Sequence, residues 1–137
     1  GFALQAIKAL NTYDYLNWKD QLNNTQIYFT PDGWGKYKEE LQRVGTIRAV
    51  EERRQIVTYR PNGAVRVVNE GVGPDGLYTW DVEVPSIVSY VAHLQQAGSS
   101  TGSNRQEINI RLRIKRIPST LSPSGVAISG YGYTLTK

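Results

Sequence analysis

The 137-residue chain contains no cysteine and a single histidine, His93. Without cysteine there are no disulfide bonds, no thiol nucleophile and no thiolate ligand for a metal ion. His93 has no serine or acidic partner at a recognisable spacing, so neither a catalytic triad nor a two-histidine metal site is supported. The sequence therefore predicts no catalytic residue, no cofactor and no metal site.

Long apolar runs are also missing, because no segment approaches the roughly 18 consecutive apolar residues that a membrane-spanning helix needs. The chain begins at Gly1 without an initiator methionine, so a membrane anchor upstream of it is compatible with the sequence. We expect a soluble unit. Its length predicts a single domain over residues 1–137, because it is long enough for one core and too short for two.

Charge of one sign is not concentrated anywhere along the chain. Lysine and arginine number 16 against 12 aspartates and glutamates, which gives a formal net charge of +4. This excess is modest, and acidic residues are interspersed with the basic ones. We therefore do not expect direct nucleic-acid binding, although the charge leaves it open as an alternative.

The N-terminal part of the chain, about residues 2–44, has the apolar spacing of helices. Its clearest signal is a helix start, with Thr30 as the N-cap residue and Pro31 at the first helical position. Phe29 and Trp34 are spaced as a hydrophobic staple across that start. These aromatic side chains are therefore predicted to pack in the scaffold rather than to bind a ligand.

Residues 46–54 are ambiguous and allow a short helical turn, and the sheet is predicted from about residue 55 to 136. Two β-rich runs, 55–60 and 64–69, flank an Asn-Gly pair, which is a strong hairpin signal. We therefore predict that these two runs pair with each other.

Later runs also have the two-residue period of strands. Tyr78 to Val84 alternates and continues past Pro85 with a bend or bulge. Ile108 to Ile114 shows the cleanest alternation. A polar surface loop is expected at 96–104, and in the last strand Gly130 and Gly132 are predicted to share the face of Ile128. Helices followed by strands predict an α+β fold, with the N-terminal helices packed on one face of a curved antiparallel sheet.

Three cations, Arg111, Arg113 and Lys115, stand in a row on the polar face of the Ile108–Ile114 strand. They form a possible interaction face for an anion or a partner. Alternatively, Asp81 and Glu83 of another predicted strand lie opposite and neutralise them as cross-strand ion pairs. We favour the ion pairs.

Four stretches occur in a coherent order along the chain: Asp14-Tyr-Leu-Asn-Trp, Tyr28-Phe-Thr-Pro-Asp-Gly-Trp, Gly76-Leu-Tyr-Thr-Trp-Asp-Val-Glu-Val-Pro and Pro123-Ser-Gly-Val-Ala-Ile-Ser. Together they resemble the DotI/IcmL family of type IVB secretion systems and its conjugative-plasmid counterpart, TraM. The resemblance spans nearly the whole chain. The residues that carry it are ones we already assign to caps, turns and core: Phe29, Thr30, Pro31, Gly33, Trp34, Tyr78, Trp80, Pro85 and Gly125.

This resemblance implies a nuclear-transport-factor-like, cystatin-like cone of sheet and helices. It also implies the periplasmic domain of a bacterial inner-membrane protein that is anchored by a helix upstream of this chain. The implied function is non-catalytic, namely self-association and contact with other subunits of a secretion or conjugation channel. The cargo, DNA or protein, stays open, with a slight preference for a conjugative relative.

One further alternative remains open at this point, a small-ligand-binding protein or enzyme that uses a pocket of the conical fold. Asp14 or Asp81 would then be the candidate base. This alternative requires a buried carboxylate that faces a cavity.

Overall fold

The computed structural model describes residues 1–92 and 104–136. Helices come first along the chain and strands follow. The helical elements are α1 (Phe2–Leu10), α2 (Trp18–Asn24), a 3₁₀ turn (Thr25–Tyr28), α3 (Pro31–Val44) and α4 (Thr46–Arg53). The strands are β1 (Gln55–Pro61), β2 (Arg66–Val72), β3 (Tyr78–Ala92), β4 (Asn104–Arg116) and β5 (Val126–Leu135).

All strand pairs are antiparallel and form one sheet in which β3 is central. One side of β3 pairs with β4, which in turn pairs with β5, and its other side pairs with both β1 and β2. The alternation predicted for β4 is confirmed, because Ile108, Ile110 and Leu112 are almost completely buried in the core. Tyr37 and Leu41 of α3 complete that core from the helical layer. The predicted α+β fold, with helices against an antiparallel sheet, is therefore correct.

The start of α3 is formed as the sequence predicts. The Oγ1 atom of Thr30 accepts a hydrogen bond of 3.0 Å from the amide of Gly33. Pro31 occupies the first turn, where its missing N–H costs nothing. The rings of Phe29 and Trp34 lie 5.9 Å apart across the cap, so the staple is also confirmed.

The helical layer extends further than residues 2–44, because residues 46–53 form the complete helix α4. Gly45 separates the two helices with a left-handed φ of 81°, a conformation that glycine adopts without steric cost. Val50 and Ala49 of α4 are buried. The three-residue spacing of Ile47 and Val50 therefore indicated a helix of eight residues rather than a single helical turn.

The predicted hairpin between 55–60 and 64–69 is wrong. β1 pairs with Ser86–Ala92 and β2 pairs with Tyr78–Glu83, so both lie on the same side of β3 and run in the same direction. The break between them faces Pro85, whose carbonyl accepts a hydrogen bond of 2.8 Å from Asn62. Proline has no N–H to continue the ladder on that side. The Asn-Gly pair therefore forms a kink within an edge strand, and β3 runs through Pro85 unbroken.

The predicted face of the glycines in β5 is also wrong. Ile114 pairs with Ile128 but Arg113 pairs with Gly130, which leaves Ser129 as an extra residue in a β-bulge. A bulge reverses the alternation beyond it. Consequently Tyr131 packs against the core, and Gly130 and Gly132 lie opposite Arg113 and Arg111 on the polar face.

Two sequence features fall outside the described residues, His93 and the predicted loop at 96–104 apart from Asn104. Within residues 1–92 and 104–136, no helix is long and apolar enough to cross a membrane.

Candidate interaction surfaces

The residues of the Phe-Thr-Pro-Asp-Gly-Trp motif join α3 to strand β5. The amide of Thr30 donates a 3.0 Å hydrogen bond to the carbonyl of Ile128, and Phe29 forms an isolated bridge with the same residue. A Cβ atom on Gly33 would lie only 2.3 Å from that carbonyl oxygen. Glycine is therefore required at position 33, because the helix approaches the backbone of the strand too closely for any side chain.

Buried tyrosines connect the helices to one another and to the sheet. The Tyr37 hydroxyl donates to the carbonyl of Leu10 at 2.6 Å and lies 2.5 Å from the hydroxyl of Tyr13. Burial raises the pKa of Tyr13 to about 12, and burial likewise raises the pKa values of Tyr37 and Tyr131. These hydroxyls stay protonated at neutral pH and act as structural hydrogen-bond groups.

The cavity between α3 and the sheet has a volume of about 20 Å³. A buried water needs roughly 10–15 Å³, so this cavity accommodates a water molecule and is far too small for an organic substrate. Its lining includes one carboxylate, Glu40, which is paired with Arg43.

Neither candidate base of the enzyme alternative lines that cavity. Asp14 accepts hydrogen bonds from the amides of Leu16 and Asn17 and so shapes the loop before α2. Asp81 lies on the polar face of the sheet and is bound by Arg113 at 2.8 Å. Asp81 instead borders an open groove of about 320 Å³ on this polar face, where its carboxylate is partly exposed and already paired with Arg113. Neither residue is therefore a buried carboxylate that faces an enclosed cavity.

The polar face of the sheet is a set of cross-strand ion pairs, as we favoured from the sequence. Arg113 binds Asp81, and Glu83 lies between Arg111 and Arg66. Lys115 binds a different carboxylate, that of Asp75 in the β2–β3 turn, at 2.5 Å.

These contacts hold the carboxylates in their charged form. The hydrogen bond from Arg113 lowers the pKa of Asp81, and the hydrogen bond from Arg111 does the same for Glu83. Lys115 similarly lowers the pKa of Asp75. All three cations of the predicted interaction face are therefore already engaged within the chain, and none is available to an external anion without breaking a pair.

A second surface lies at the end of the opposite face, where Tyr78 and Trp80 stand side by side with ring centroids 5.0 Å apart. We call it the aromatic end surface, and it consists of Glu70, Val72, Tyr78, Trp80 and Arg116. Trp80 is half-buried against the core, as predicted, whereas Tyr78 lies beyond the core and donates a 2.7 Å hydrogen bond to Glu70. The guanidinium of Arg116 lies 5.5 Å from the ring centroid of Trp80.

Sequence reasoning did not single out Glu70, Val72 or Arg116. Their grouping depends on the register in which β2 and β4 flank β3, with Glu70 opposite Trp80 and Val72 opposite Tyr78. No local pattern specifies that register. Val72 is 70% exposed and adds an apolar side chain to this surface.

Two other residues of the family motifs have local structural roles. Pro85 faces the break between β1 and β2, as described above. Gly125 adopts a φ of 74° in the turn before β5, and its amide donates a 3.0 Å hydrogen bond to the carbonyl of Ser122. Both positions shape the backbone rather than present a reactive group.

The fold is shared with a solved protein of very different sequence. The chain is similar to CagV, a VirB8 homologue of the type IV secretion system of Helicobacter pylori strain 26695, with a TM-score of 0.73 over 96% of this chain and 92% of that one. At 7% identity this likeness shows the fold alone. It agrees with the predicted nuclear-transport-factor-like architecture.

The particular family follows from sequence and structure together. The chain belongs to the DotI/IcmL family, a type-IV b secretion system, inner-membrane complex component, whose family model matches residues 1–132. It is 28% identical to the periplasmic domain of DotI, with a TM-score of 0.86 over 97% of this chain and 90% of that one. A periplasmic fragment of TraM gives 22% identity and a TM-score of 0.85 over 98% and 93% of the two chains.

A comparison with the sequences of curated proteins gives no significant match. The predicted family is nevertheless confirmed, and with it the predicted class, a structural subunit of a type IV secretion apparatus.

Proposed function

We propose that this chain is the periplasmic domain of an inner-membrane subunit of a type IVB secretion or conjugative DNA-transfer apparatus. It acts by associating with copies of itself and with other envelope subunits, and it catalyses no reaction. A helix upstream of the chain anchors it in the membrane. The observation that carries this proposal is the family match over residues 1–132 together with the likeness to the periplasmic domain of DotI.

The arrangement of the described residues supports a scaffold role. Within residues 1–92 and 104–136, no group of three or more histidine, cysteine, aspartate or glutamate residues could hold a metal ion. The cavity between α3 and the sheet has a volume of only about 20 Å³, and the motif residues serve as caps, turns and helix–sheet contacts. The surface presents partly exposed aromatic side chains and arginines instead, and these residue types are enriched in protein–protein interfaces.

The proposal is tested by deleting residues 1–137 in frame from the gene and measuring transfer of DNA or protein by cells that carry the apparatus. We expect transfer to be lost and to return when the intact gene is supplied. A strain without the domain that transfers at the normal rate would overturn the proposal. A gene carrying Leu121→Ser, a change at a side chain that is 76% exposed, is the control and should restore transfer fully.

Two further variants distinguish a scaffold from an enzyme. Asp14→Asn and Asp81→Asn remove the carboxylates considered as bases but keep an oxygen that can accept hydrogen bonds. A scaffold should retain transfer with either change, because neither group acts on a substrate. Loss of transfer with a stable, normally abundant variant would favour the enzyme alternative.

A further inference from the structure

The aromatic end surface carries two exposed charges that have no ionic partner within the part of the chain that the structure describes: Glu70 accepts a hydrogen bond from the Tyr78 hydroxyl, and Arg116 lies against the Trp80 ring. Glu70 lies on one side of Trp80, opposite it on β2, and Arg116 lies on the other side, at the end of β4. Neither residue forms a salt bridge, in contrast to the cations of the polar face, each of which is bound to a carboxylate. The Glu70 carboxylate and the Arg116 guanidinium therefore lie at diagonally opposite corners of a patch whose centre is formed by Tyr78 and Trp80.

We propose that the aromatic end surface is a two-fold contact between two copies of this chain, in which Glu70 of each copy binds Arg116 of the other. This inference rests on the self-association included in the proposed function and names the surface that performs it.

The symmetry of the surface carries the proposal. In a two-fold contact both copies use the same patch. A contact between one residue of the first copy and a second residue of the other copy is therefore always accompanied by the reciprocal contact. An axis that crosses the patch between Tyr78 and Trp80 places each Glu70 over the Arg116 of the second copy. Two ion pairs form at the rim, and the aromatic rings with Val72 fill the centre, which is the usual distribution of apolar and charged groups in an interface.

The charges favour a second copy over a partner of one sign. A wholly acidic partner would oppose Glu70, and a wholly basic partner would oppose Arg116, whereas the surface matches its own two-fold image at both positions. Like charges placed together across an interface disfavour the wrong partner strongly.

The neighbouring strand edge is a poorer candidate for the contact. β2 is an edge strand, but its register with β3 shifts between Val67 and Asn69. Such a bulge interrupts the regular row of hydrogen-bonding groups and protects an edge from adding another strand. Association through the face beside that edge is therefore favoured over addition of a strand to the edge itself.

The test measures self-association of the chain by sedimentation velocity over a wide concentration range. Four samples are compared with the unmodified chain: Glu70→Arg, Arg116→Glu, an equimolar mixture of these two variants, and Arg105→Glu. Arg105 lies at the other end of β4 and on the polar face, so its reversal is a control of equal charge change. Circular dichroism verifies that every variant is folded.

We expect the unmodified chain and the Arg105→Glu control to dimerise equally. Glu70→Arg alone brings two like-charged contacts into each dimer, and so does Arg116→Glu alone, so each should weaken association by about tenfold or more. The mixture should recover, because a heterodimer of the two variants has opposite charges at both contacts.

Three results would overturn the proposal: a chain that stays monomeric at every concentration, reversed variants that dimerise as well as the unmodified chain, or a mixture that does not recover. Any of these would mean that Glu70 and Arg116 do not form this two-fold contact. The transfer assay on the deletion strain is independent of the outcome. If deletion abolishes transfer while the mixture fails to recover, the proposed function stands and only this contact is wrong.

Discussion

Replacing Gly33 with alanine should destabilise the domain, although the same change usually stabilises a helix. The added Cβ would lie 2.3 Å from the carbonyl oxygen of Ile128 and 3.0 Å from the Cα atom of Ser129. Close carbon–oxygen contacts in proteins lie at about 3.3–3.6 Å, so α3 and β5 must separate by about 1 Å. The atoms in the way belong to the backbone of a paired strand, which cannot rotate aside as a flexible side chain would.

The magnitude follows from three contributions. Overpacking of this kind costs about 1–3 kcal/mol, and loss of the hydrogen bond from Thr30 to Ile128 adds about 1 kcal/mol. Replacing a glycine by alanine within a helix raises the free energy of unfolding by about 0.5–1 kcal/mol and so offsets part of this loss. We therefore expect Gly33→Ala to lower the free energy of unfolding by about 1–3 kcal/mol, measured by urea denaturation followed by tryptophan fluorescence.

Gly35 provides a matched control in the same helix, because a Cβ atom there meets nothing within 4 Å. Gly35→Ala should raise the free energy of unfolding by about 0.5–1 kcal/mol. Opposite signs for the two substitutions would support the close approach of α3 to β5. If Gly33→Ala proved as stable as Gly35→Ala, the packing argument would be refuted.

Three further predictions concern the cap, the tyrosine network and pH. Thr30→Ala should lower the free energy of unfolding by about 1 kcal/mol because the amide of Gly33 loses its acceptor, while Thr30→Ser should restore most of it in the same urea assay. Tyr37→Phe should cost about 1–3 kcal/mol because the buried Leu10 carbonyl loses its donor and the Tyr13 hydroxyl loses one of its partners, and an unchanged denaturation midpoint would contradict this. Since burial raises the pKa of Tyr13 from 10.0 to about 12, its contribution to stability is fully present below pH 10 and is lost as the pH rises toward 12. Tyrosinate absorbance should accordingly show a class of groups that ionises well above the exposed tyrosines, and a single transition near pH 10 for all of them would contradict the buried network.

Local chemistry specified those elements whose signals lie within a few residues. The N-cap at Thr30 followed by Pro31 predicted the start of α3, and the alternation from Ile108 to Ile114 predicted both β4 and its buried face. The ion pairs of Arg113 with Asp81 and of Arg111 with Glu83 were the favoured interpretation and were confirmed. In each of these cases the relevant period or cap is contained in one segment of the chain.

Pairing between distant segments could not be predicted in the same way. The Asn-Gly pair does form a bend, as its sequence indicates. However, β1 and β2 pair with separate parts of the long strand β3 on either side of Pro85 rather than with each other. Local propensity does not predict which of these pairings forms. The bulge at Ser129 reversed the faces of Gly130 and Gly132 because one extra residue shifts every later side chain. The aromatic end surface was missed for the same reason, since Glu70 and Arg116 come together only through register.

The most direct measurement of the central claim is protease accessibility of the full-length protein in intact cells, in spheroplasts and in separated membrane fractions. We expect the protein to sediment with the inner membrane and this domain to be digested only after the outer membrane has been opened. A protein found in the soluble cytoplasmic fraction, with the domain digested only after lysis, would contradict the assignment to the periplasmic part of a secretion apparatus.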